Sequence, residues 1–411
     1  MKIGVVGAGV SGLVAAYVLA DHHDITLFEQ HPRPGGHTNT LRVRHEGRDL
    51  DVDTGFIVFN DRNYPNFTRL LKRLGVDARD TSMSFSVRDG DFEYGGESLA
   101  GVVGSAWNLL SPRWWRVITG VLTLGSRGKR LLAQAGEDVT LGDLVARGEF
   151  SPGFAHDYLV PMAAAIWSAP RAAMLDFPAR FFLRFFDHHG MLDLRERPQW
   201  RTVVGGSHAY VRKIVEHLGP RVRAACPVRS IRREPESALL HGEGWSERFD
   251  HVILATHADE ALALLSDPTD TERKLLGAMP FQANETVLHW DASLLPRRRR
   301  CWAAWNYALG ADPHAPVAVT YNMSILQGLE TREPLCVTLN DSKRIDPAKT
   351  LARMTYHHPI YTVAGERARA RWGEISGPGR THYCGAYWLN GFHEDGVRSA
   401  LRVCERFGGT L

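Results

Sequence analysis

The spacing of apolar and polar positions changes character several times along the chain. An unbroken apolar run, "IGVV" (3–6), reads as a buried strand, "LVAAYVLA" (13–20) as a buried helix, and "ITLFE" (25–29) as a second strand. "DLDVDTGFIVFNDRNYPN" (49–66) alternates and then breaks into a polar turn at Asp61 to Asn63. Aromatic, arginine-bearing helical stretches follow, "SAWNLLSPRWWRVITGVLTLGSRGKRLLAQ" (105–134) and "FPARFFLRFFDHHGML" (177–192). A glycine pair then precedes an amphipathic helix in "RTVVGGSHAYVRKIVEHLG" (201–219). Beyond it lie a hairpin-like region after "VRAACPVRSIRRE" (222–234) and a further strand, "VILAT" (252–256). Four alternating runs between 271 and 371, "ETVLHWD", "CWAAWNY", "PVAVTYN" and "LCVTLN", predict a largely antiparallel sheet whose Trp302, Trp305, Tyr307 and Tyr321 either line a cavity or form core. At the end, "THYC" (381–384) reads as a short strand. Val397, Ala400, Leu401 and Cys404 fall at helical spacing, predicting a last helix that starts near Gly396.

A chain of 411 residues exceeds what one hydrophobic core serves, so two connected domains are expected. The pattern divides into a discontinuous nucleotide-binding domain (1–75, 198–270 and 372–411) and a substrate domain inserted in two pieces (76–197 and 271–371). The opening "MKIGVVGAGVSGLVAAYVLA" has the outline of a signal peptide, but three spaced glycines have no use in an apolar h-region, and no other apolar run approaches the ~20 residues of a membrane span.

Between the first strand and helix, Gly7, Gly9 and Gly12 fit G-x-G-x-x-G, with Val10 and Ser11 inside the motif. Gly7 makes the tight turn, Gly9 admits a pyrophosphate to the backbone, and Gly12 lets the helix approach the sheet, so the helix N-terminus faces phosphate. Glu29, 22 residues after Gly7 and followed by Gln30, closes the second strand where a carboxylate accepts ribose hydroxyls and repels a 2′-phosphate. The order strand, glycine loop, helix, strand, acid predicts a Rossmann-like dinucleotide site in an α/β fold. There is one such fingerprint, because "VVGGSH" lacks the G-x-G spacing.

After Glu29 comes "QHPRPGGHTNT", in which Gly35 and Gly36 admit phosphate or ribityl backbone and Thr38 and Thr40 offer hydroxyls. Here the chain resembles the flavin-containing amine oxidase and phytoene desaturase superfamily, whose pattern "E…GG…T" binds FAD. The resemblance implies a Rossmann-like FAD-binding domain with an inserted α+β substrate domain. It places Gly55, Phe56 and Ile57 along the flavin ring and gives Val228 the reading of adenine. Gly385, Gly391, Phe392, Gly396 and Val397 then close the site at the last helix, whose dipole stabilises a reduced flavin. His393 and Glu394 are the candidate catalytic groups beside the ring, with Asp395; capping of the last helix is the alternative reading for all three. Two positions depart from the superfamily: His37 stands where an arginine follows the glycine pair, and Ala386 where an acid is usual. Cys384 lies close to the expected flavin, as an attachment point or as packing.

Longer strings, "GFIVFNDRNYPN", "YLVPMAAAIWSAP", "RPQW" with "GGSHAYV", "AAWNY" and "CGAYWLNGFHEDG", resemble the N-terminal oxidoreductase domain of plant cyclopropane fatty acid synthases and free-standing bacterial flavoproteins related to it. That resemblance implies hydride removal from a carbon of an unsaturated, methylated or cyclopropane fatty acyl chain, with a cyclopropane synthase-like methyltransferase as partner. A flavin-containing amine oxidase and a non-catalytic flavoprotein partner of the synthase are the alternatives. The superfamily's amine oxidases hold a water near the flavin with a lysine, and none of the seven lysines here stands at a convincing matching position.

Composition narrows the rest. Lys and Arg number 49 against 46 Asp and Glu, a net charge of +3, which with no arginine-rich repeat argues against nucleic acid. Five scattered cysteines without a C-x-x-C pair argue against a disulfide framework or a structural metal and fit a reducing cytoplasm. Trp107, Trp114 and Trp115, interleaved with Arg113, Arg116, Arg127, Lys129 and Arg130, have the make-up of a membrane-surface helix at the inner face of a bilayer. An ordinary packed helix with solvated arginines is the other reading. "PRRRR" (296–300) is either a solvated turn or a cluster for lipid headgroups or an acyl carboxylate.

Overall fold

A computed structural model describes residues 1–134, 136, 138–193, 198–310 and 312–411. Arg197, which opens the "RPQW" string and ends the first piece of the expected substrate domain, lies outside the described residues. A five-stranded parallel sheet organises one half in the order Val222–Arg223, Asp24–Phe28, Lys2–Val6, His251–Leu254, Thr381–Tyr383. Its strands come from both ends and the middle of the chain, and their near-continuous burial is that of a sheet covered on both faces. The helices Val10–Leu19, Pro65–Leu74, His208–Leu218 and His393–Cys404 pack together against it. A three-stranded antiparallel sheet, Val228–Arg233, Ala238–Gly242 and Trp245–Phe249, also covers it, bringing Leu240 and Phe249 against Gly4.

The other half is a seven-stranded sheet in the order Thr350–Pro359, Phe281–His289, Cys336–Leu339, Val319–Asn322, Trp305–Ala308, Phe85–Asp89, Phe92–Gly95. It is antiparallel except where Trp305–Ala308 runs parallel to Phe85–Asp89. Helices Pro112–Gln134, Val160–Trp167 and Ala179–His188 form a separate aromatic-rich core with its central strands. Within 76–197, where the sequence pattern marks two helical stretches, Ala78–Thr81, Phe85–Asp89 and Phe92–Gly95 are strands: the first two pair with Trp200–Val203 and Trp305–Ala308, more than 100 residues away, and Phe92–Gly95 folds back on Phe85–Asp89. Likewise 271–371 is not strand throughout, since Val363–Ala370 is a helix capped by Thr362.

The last helix begins at His393, three residues before the expected Gly396. Asp395 fixes this start: its carboxylate accepts the Phe392 N–H (3.1 Å), so His393, Glu394 and Asp395 form the first turn rather than a loop. Trp305 and Tyr321 stand half-buried, in contact with both the helical core and the sheet core. Trp302 lies under Arg299, and Tyr307 is core.

The tightest approach in the nucleotide half is at Gly12, where an added Cβ would lie 1.8 Å from the Gly7 carbonyl oxygen. The substitution Gly12→Ala is expected to lower the free energy of unfolding by at least about 2 kcal/mol, read by urea denaturation, because neither backbone segment can yield without moving the helix off the sheet.

Candidate cofactor site

Three chain segments build the phosphate end. Gly7 accepts no side chain, with φ at +97° and Ala255 O 2.9 Å from the position of a Cβ; Gly9 faces open space, nothing lying within 4 Å of its missing Cβ. Val10–Leu19 starts at Gly9 with no side-chain cap, so its first N–H groups are left for an anion. The Gly35 N–H donates to Ala8 O (2.8 Å), which lays the glycine pair along the glycine loop. Arg33 spans that loop, donating to Thr38 O (2.9 Å) and Gly36 O (3.1 Å). A guanidinium is therefore present four residues before His37. Sequence reading missed it because the expected place was after the glycines.

Glu29 is buried, and its two carboxylate oxygens accept the Ala8 and His31 N–H groups, both at 2.9 Å. Each oxygen keeps lone-pair capacity for a ribose hydroxyl. The Glu29 carbonyl accepts the Cys226 N–H (2.8 Å), which holds the half-buried Val228 near this end; Gln30 is exposed.

At the other end, the last helix meets the first. Ser11 Oγ donates to Gly396 O (2.9 Å), and a Cβ on Gly396 would sit 2.5 Å from Val10. Ser399 Oγ accepts the Gly385 N–H (2.8 Å), tying the loop to the same helix. Gly55 passes so close to His37 that a Cβ would lie 2.1 Å from its carbonyl, and Phe56 N–H donates to that oxygen (2.9 Å).

Exposure sorts the expected residues. Gly7, Gly9, Val10, Gly36, His37, Gly55, Phe56, Val228, Gly391 and Phe392 keep accessible surface; Ser11, Gly12, Gly35, Thr38, Ile57, Gly385, Gly396 and Val397 are buried. Thr38 corrects one expectation. It is 0% exposed and its hydroxyl pairs with Tyr210 Oη (2.7 Å), which in turn meets His393 Nε2 (2.8 Å), so the hydroxyl faces the core.

His393 and Glu394 also differ from expectation. The His393 imidazole stacks on Phe56 (centroids 3.6 Å apart, planes 9° apart) and meets Phe67 edge-on; burial pushes its pKa down to about 3. Glu394 accepts the Asn66 and Phe67 backbone N–H groups (3.2 and 2.9 Å) and the Asn66 amide (2.7 Å). Those are first-turn donors of Pro65–Leu74, a helix whose own N-cap, Tyr64, supplies no side-chain bond. The geometry of Glu394 is that of a cap supplied from another helix, with two donors on Oε1 and one on Oε2. Cys384 is fully buried, and burial raises its thiol pKa well above the usual range.

A histidine cluster that the sequence did not reveal lies at the seam between the sheets. His37 stands 5.4 Å from His358 and 6.2 Å from His257, with Tyr356 edge-on at 4.9 Å. Asn284 Nδ2 lies 2.8 Å from His358 Nδ1, and His257 stacks on Phe281. Burial and the neighbouring imidazoles lower His37 well below its ordinary pKa, and His358 to about 4, so both are neutral at physiological pH. The "YHHP" string lies on one strand and His257 on another segment; no spacing rule joins them. Among the described residues, no group of three or more His, Cys, Asp or Glu is arranged to hold a metal ion.

Residues 10–290 match the family model of flavin containing amine oxidoreductase. The chain belongs to that family. Its cofactor is FAD, and the open face of Gly9, the uncapped helix, Arg33 and Glu29 fit such a group. Among curated relatives, flavin-containing amine oxidase A of Canis lupus familiaris is 24% identical over 257 residues, covering 57% of this chain and 45% of that enzyme. The chain therefore matches less than half the length of that relative. The fold matches a CLA-producing fatty acid isomerase from P. acnes at TM-score 0.72, 17% identity and 99% and 98% coverage of the two chains. It also matches cyclohexylamine oxidase from Brevibacterium oxydans IH-35A at TM-score 0.69, 13% identity and 99% coverage of both.

Two expectations follow. Glu394→Ala should cost about 2–3 kcal/mol in denaturant unfolding, since buried N–H groups lose their acceptor, while purified protein keeps a full complement of flavin. Asp395, buried, has its carboxyl pushed up to about 7. A carboxyl that binds its proton more tightly when folded contributes stability below its unfolded pKa near 4 and loses it as pH rises to about 7. The stability of Asp395→Asn relative to wild type should therefore improve from pH 4.5 to pH 7.5, by about 3 kcal/mol in urea titrations.

Proposed function

We propose that the protein is an FAD-dependent oxidoreductase of the dehydrogenase or desaturase type acting on a lipid substrate, an unsaturated, methylated or cyclopropane fatty acyl chain. The observation that carries this reading is the wall around Phe392. Phe392 stacks on Phe185 (4.7 Å, 21°) and meets Trp167 at 6.5 Å, and Trp167 in turn packs on Phe177 and Phe181. That wall is aromatic and carries no lysine. Of the two acids beside it, Glu394 accepts N–H groups of Pro65–Leu74, and Asp395 accepts the Phe392 N–H with the Arg398 guanidinium 3.8 Å away. An apolar chain is held there by burial alone, whereas a protonated amine would find no free carboxylate among these side chains.

FAD supplies the two-electron acceptor for such a reaction. In this reading Glu29 and Val228 hold the adenosine end, Gly9, Val10 and Arg33 the diphosphate, and Gly55, Phe56 and Phe392 border the ring. The aromatic wall excludes water. His358 accepts the Asn284 amide N–H at Nδ1, which leaves the proton of the neutral imidazole on Nε2 and makes the ring a hydrogen-bond donor at that atom. A fatty acid isomerase sharing this fold supports the lipid reading; the family name supports an amine substrate, the second reading. A methyltransferase of the cyclopropane synthase type is the proposed protein partner.

Holoprotein mixed anaerobically with vesicles of unsaturated, methylated or cyclopropane phospholipid should lose its visible flavin absorbance with at least one of them. If an aliphatic amine bleaches it and no lipid does, the amine reading replaces this one.

A further inference from the structure

Nine large apolar side chains are well exposed among the described residues, and six of them fall between 99 and 122: Leu99 (87%), Trp107 (77%), Leu110 (76%), Leu122 (61%), Trp115 (50%) and Leu109 (44%). They sit on Leu99–Val103, on Ala106–Leu109 with its C-cap Leu110, and on the first half of Pro112–Gln134. This segment is held firmly. Asn108, buried, donates to Glu93 O and Val103 O (both 2.9 Å), while the Trp114 and Trp115 indoles donate to Val102 O and Leu109 O (both 2.8 Å). Asn108 and the two indole N–H groups are thus turned inward while six large apolar groups face outward, an unusual concentration for a soluble surface.

Folding places the arginine run beside it. A Cβ on Gly101 would lie 2.5 Å from Arg300 O, so Leu99–Val103 rests directly on residues 299–301, about 200 positions away in sequence. Arg297 and Arg298 are engaged with Asp91 (2.8 Å) and the buried Glu93 (3.0 Å). Arg299 and Arg300 are exposed and make no ion pair among the described residues, and Arg299 lies over Trp302. On the long helix, exposed Arg116 likewise makes no ion pair among the described residues. With Thr119, Thr123, Arg127 and Ser151 it lines a groove of about 230 Å³ on the face adjoining Trp115 and Leu122. A second groove, of about 470 Å³, is lined by Arg88, Ser293, Arg297, Arg299 and Trp302.

We infer that this face docks on an anionic lipid bilayer, with Leu99, Trp107, Leu110, Trp115 and Leu122 entering the interfacial region and Arg116, Arg299 and Arg300 meeting phosphate headgroups. Tryptophan and leucine favour the acyl–headgroup boundary, and each arginine near an anionic surface adds to the attraction. A second copy of the chain fits the patch poorly: a twofold contact sets a surface against itself, bringing the same unpaired guanidinium groups together. The inference stands whichever substrate is turned over. If the substrate is an acyl chain, the geometry also gives it a short approach. Pro112–Gln134 packs on Ala179–His188, the helix that carries Phe185 to Phe392.

The test is flotation of FAD-loaded protein with vesicles of phosphatidylcholine alone or mixed with phosphatidylglycerol, alongside its mass in solution. Wild type should float with the mixed vesicles, less so as salt rises. Trp107→Glu with Leu110→Glu should reduce bound protein ~10-fold or more, and Arg299→Glu with Arg300→Glu should remove the preference for phosphatidylglycerol. If the first pair impairs folding, Leu99→Gln with Leu122→Gln gives the same comparison with a smaller expected loss. Wild type that floats with no vesicle, or binding unchanged in these variants, overturns the inference. So does a wild-type dimer that the apolar variants convert to monomer without any vesicle binding, which would assign the face to a second copy.

Discussion

The close packing of the first helix on the last is the constraint on which the rest of the structure depends. Val10–Leu19 and His393–Cys404 begin at opposite ends of the sequence, yet Ser11 donates to Gly396 O and no Cβ fits at Gly396 against Val10. Two helix N-termini set side by side present partial charge of the same sign, an arrangement that an anion relieves. A diphosphate is such an anion, and Gly9 leaves it room. Fold and cofactor class are linked through this contact.

From that junction the other parts take their places. Asp395 starts the last helix, and Glu394 on its first turn reaches across to cap Pro65–Leu74, so the helices behind the nucleotide sheet are joined end to end by carboxylates and N–H groups. Thr38, Tyr210 and His393 form a buried chain from the glycine-pair loop to the same turn. Asp53 is fully buried, with Thr40 and Ser207 donating to it, and this fastens the "GGSH" segment where the chain re-enters the nucleotide half. Ionisable residues that lie close to the proposed ring are largely spent on holding backbone in place. What they leave facing the seam is neutral imidazole and aromatic surface.

His37 shows how a departure from a motif is compensated. With histidine in place of arginine after the glycine pair, a fixed positive charge is missing at that point; Arg33, on the near side of the pair, brings a guanidinium to the same loop through the Thr38 and Gly36 carbonyls. His37 itself is freed to stack on His358, which links the glycine-pair loop to the seven-stranded sheet. At this point of the seam the contact between the two halves runs through neutral rings, which tolerate burial better than charges do.

The local pattern was enough for the parallel strands, the glycine turn, Glu29 at the end of the second strand, and the helical character of 105–134 and 177–192, because each depends on periodicity or on backbone chemistry within a few residues. It was not enough for the strands between 78 and 95, the first turn of the last helix, the cap role of Glu394, or the meeting of His37, His257 and His358. Nor did it show that "PRRRR" lies against Leu99–Val103. Most of those features are set by partners tens to hundreds of residues away; the hairpin of Phe85–Asp89 with Phe92–Gly95 and the Asp395 cap on Phe392 are local, and apolar spacing alone did not mark them. A short strand gains its hydrogen bonds, a carboxylate its donors and an imidazole its neutral state only once the chain has closed on itself, so only the tertiary structure decided them.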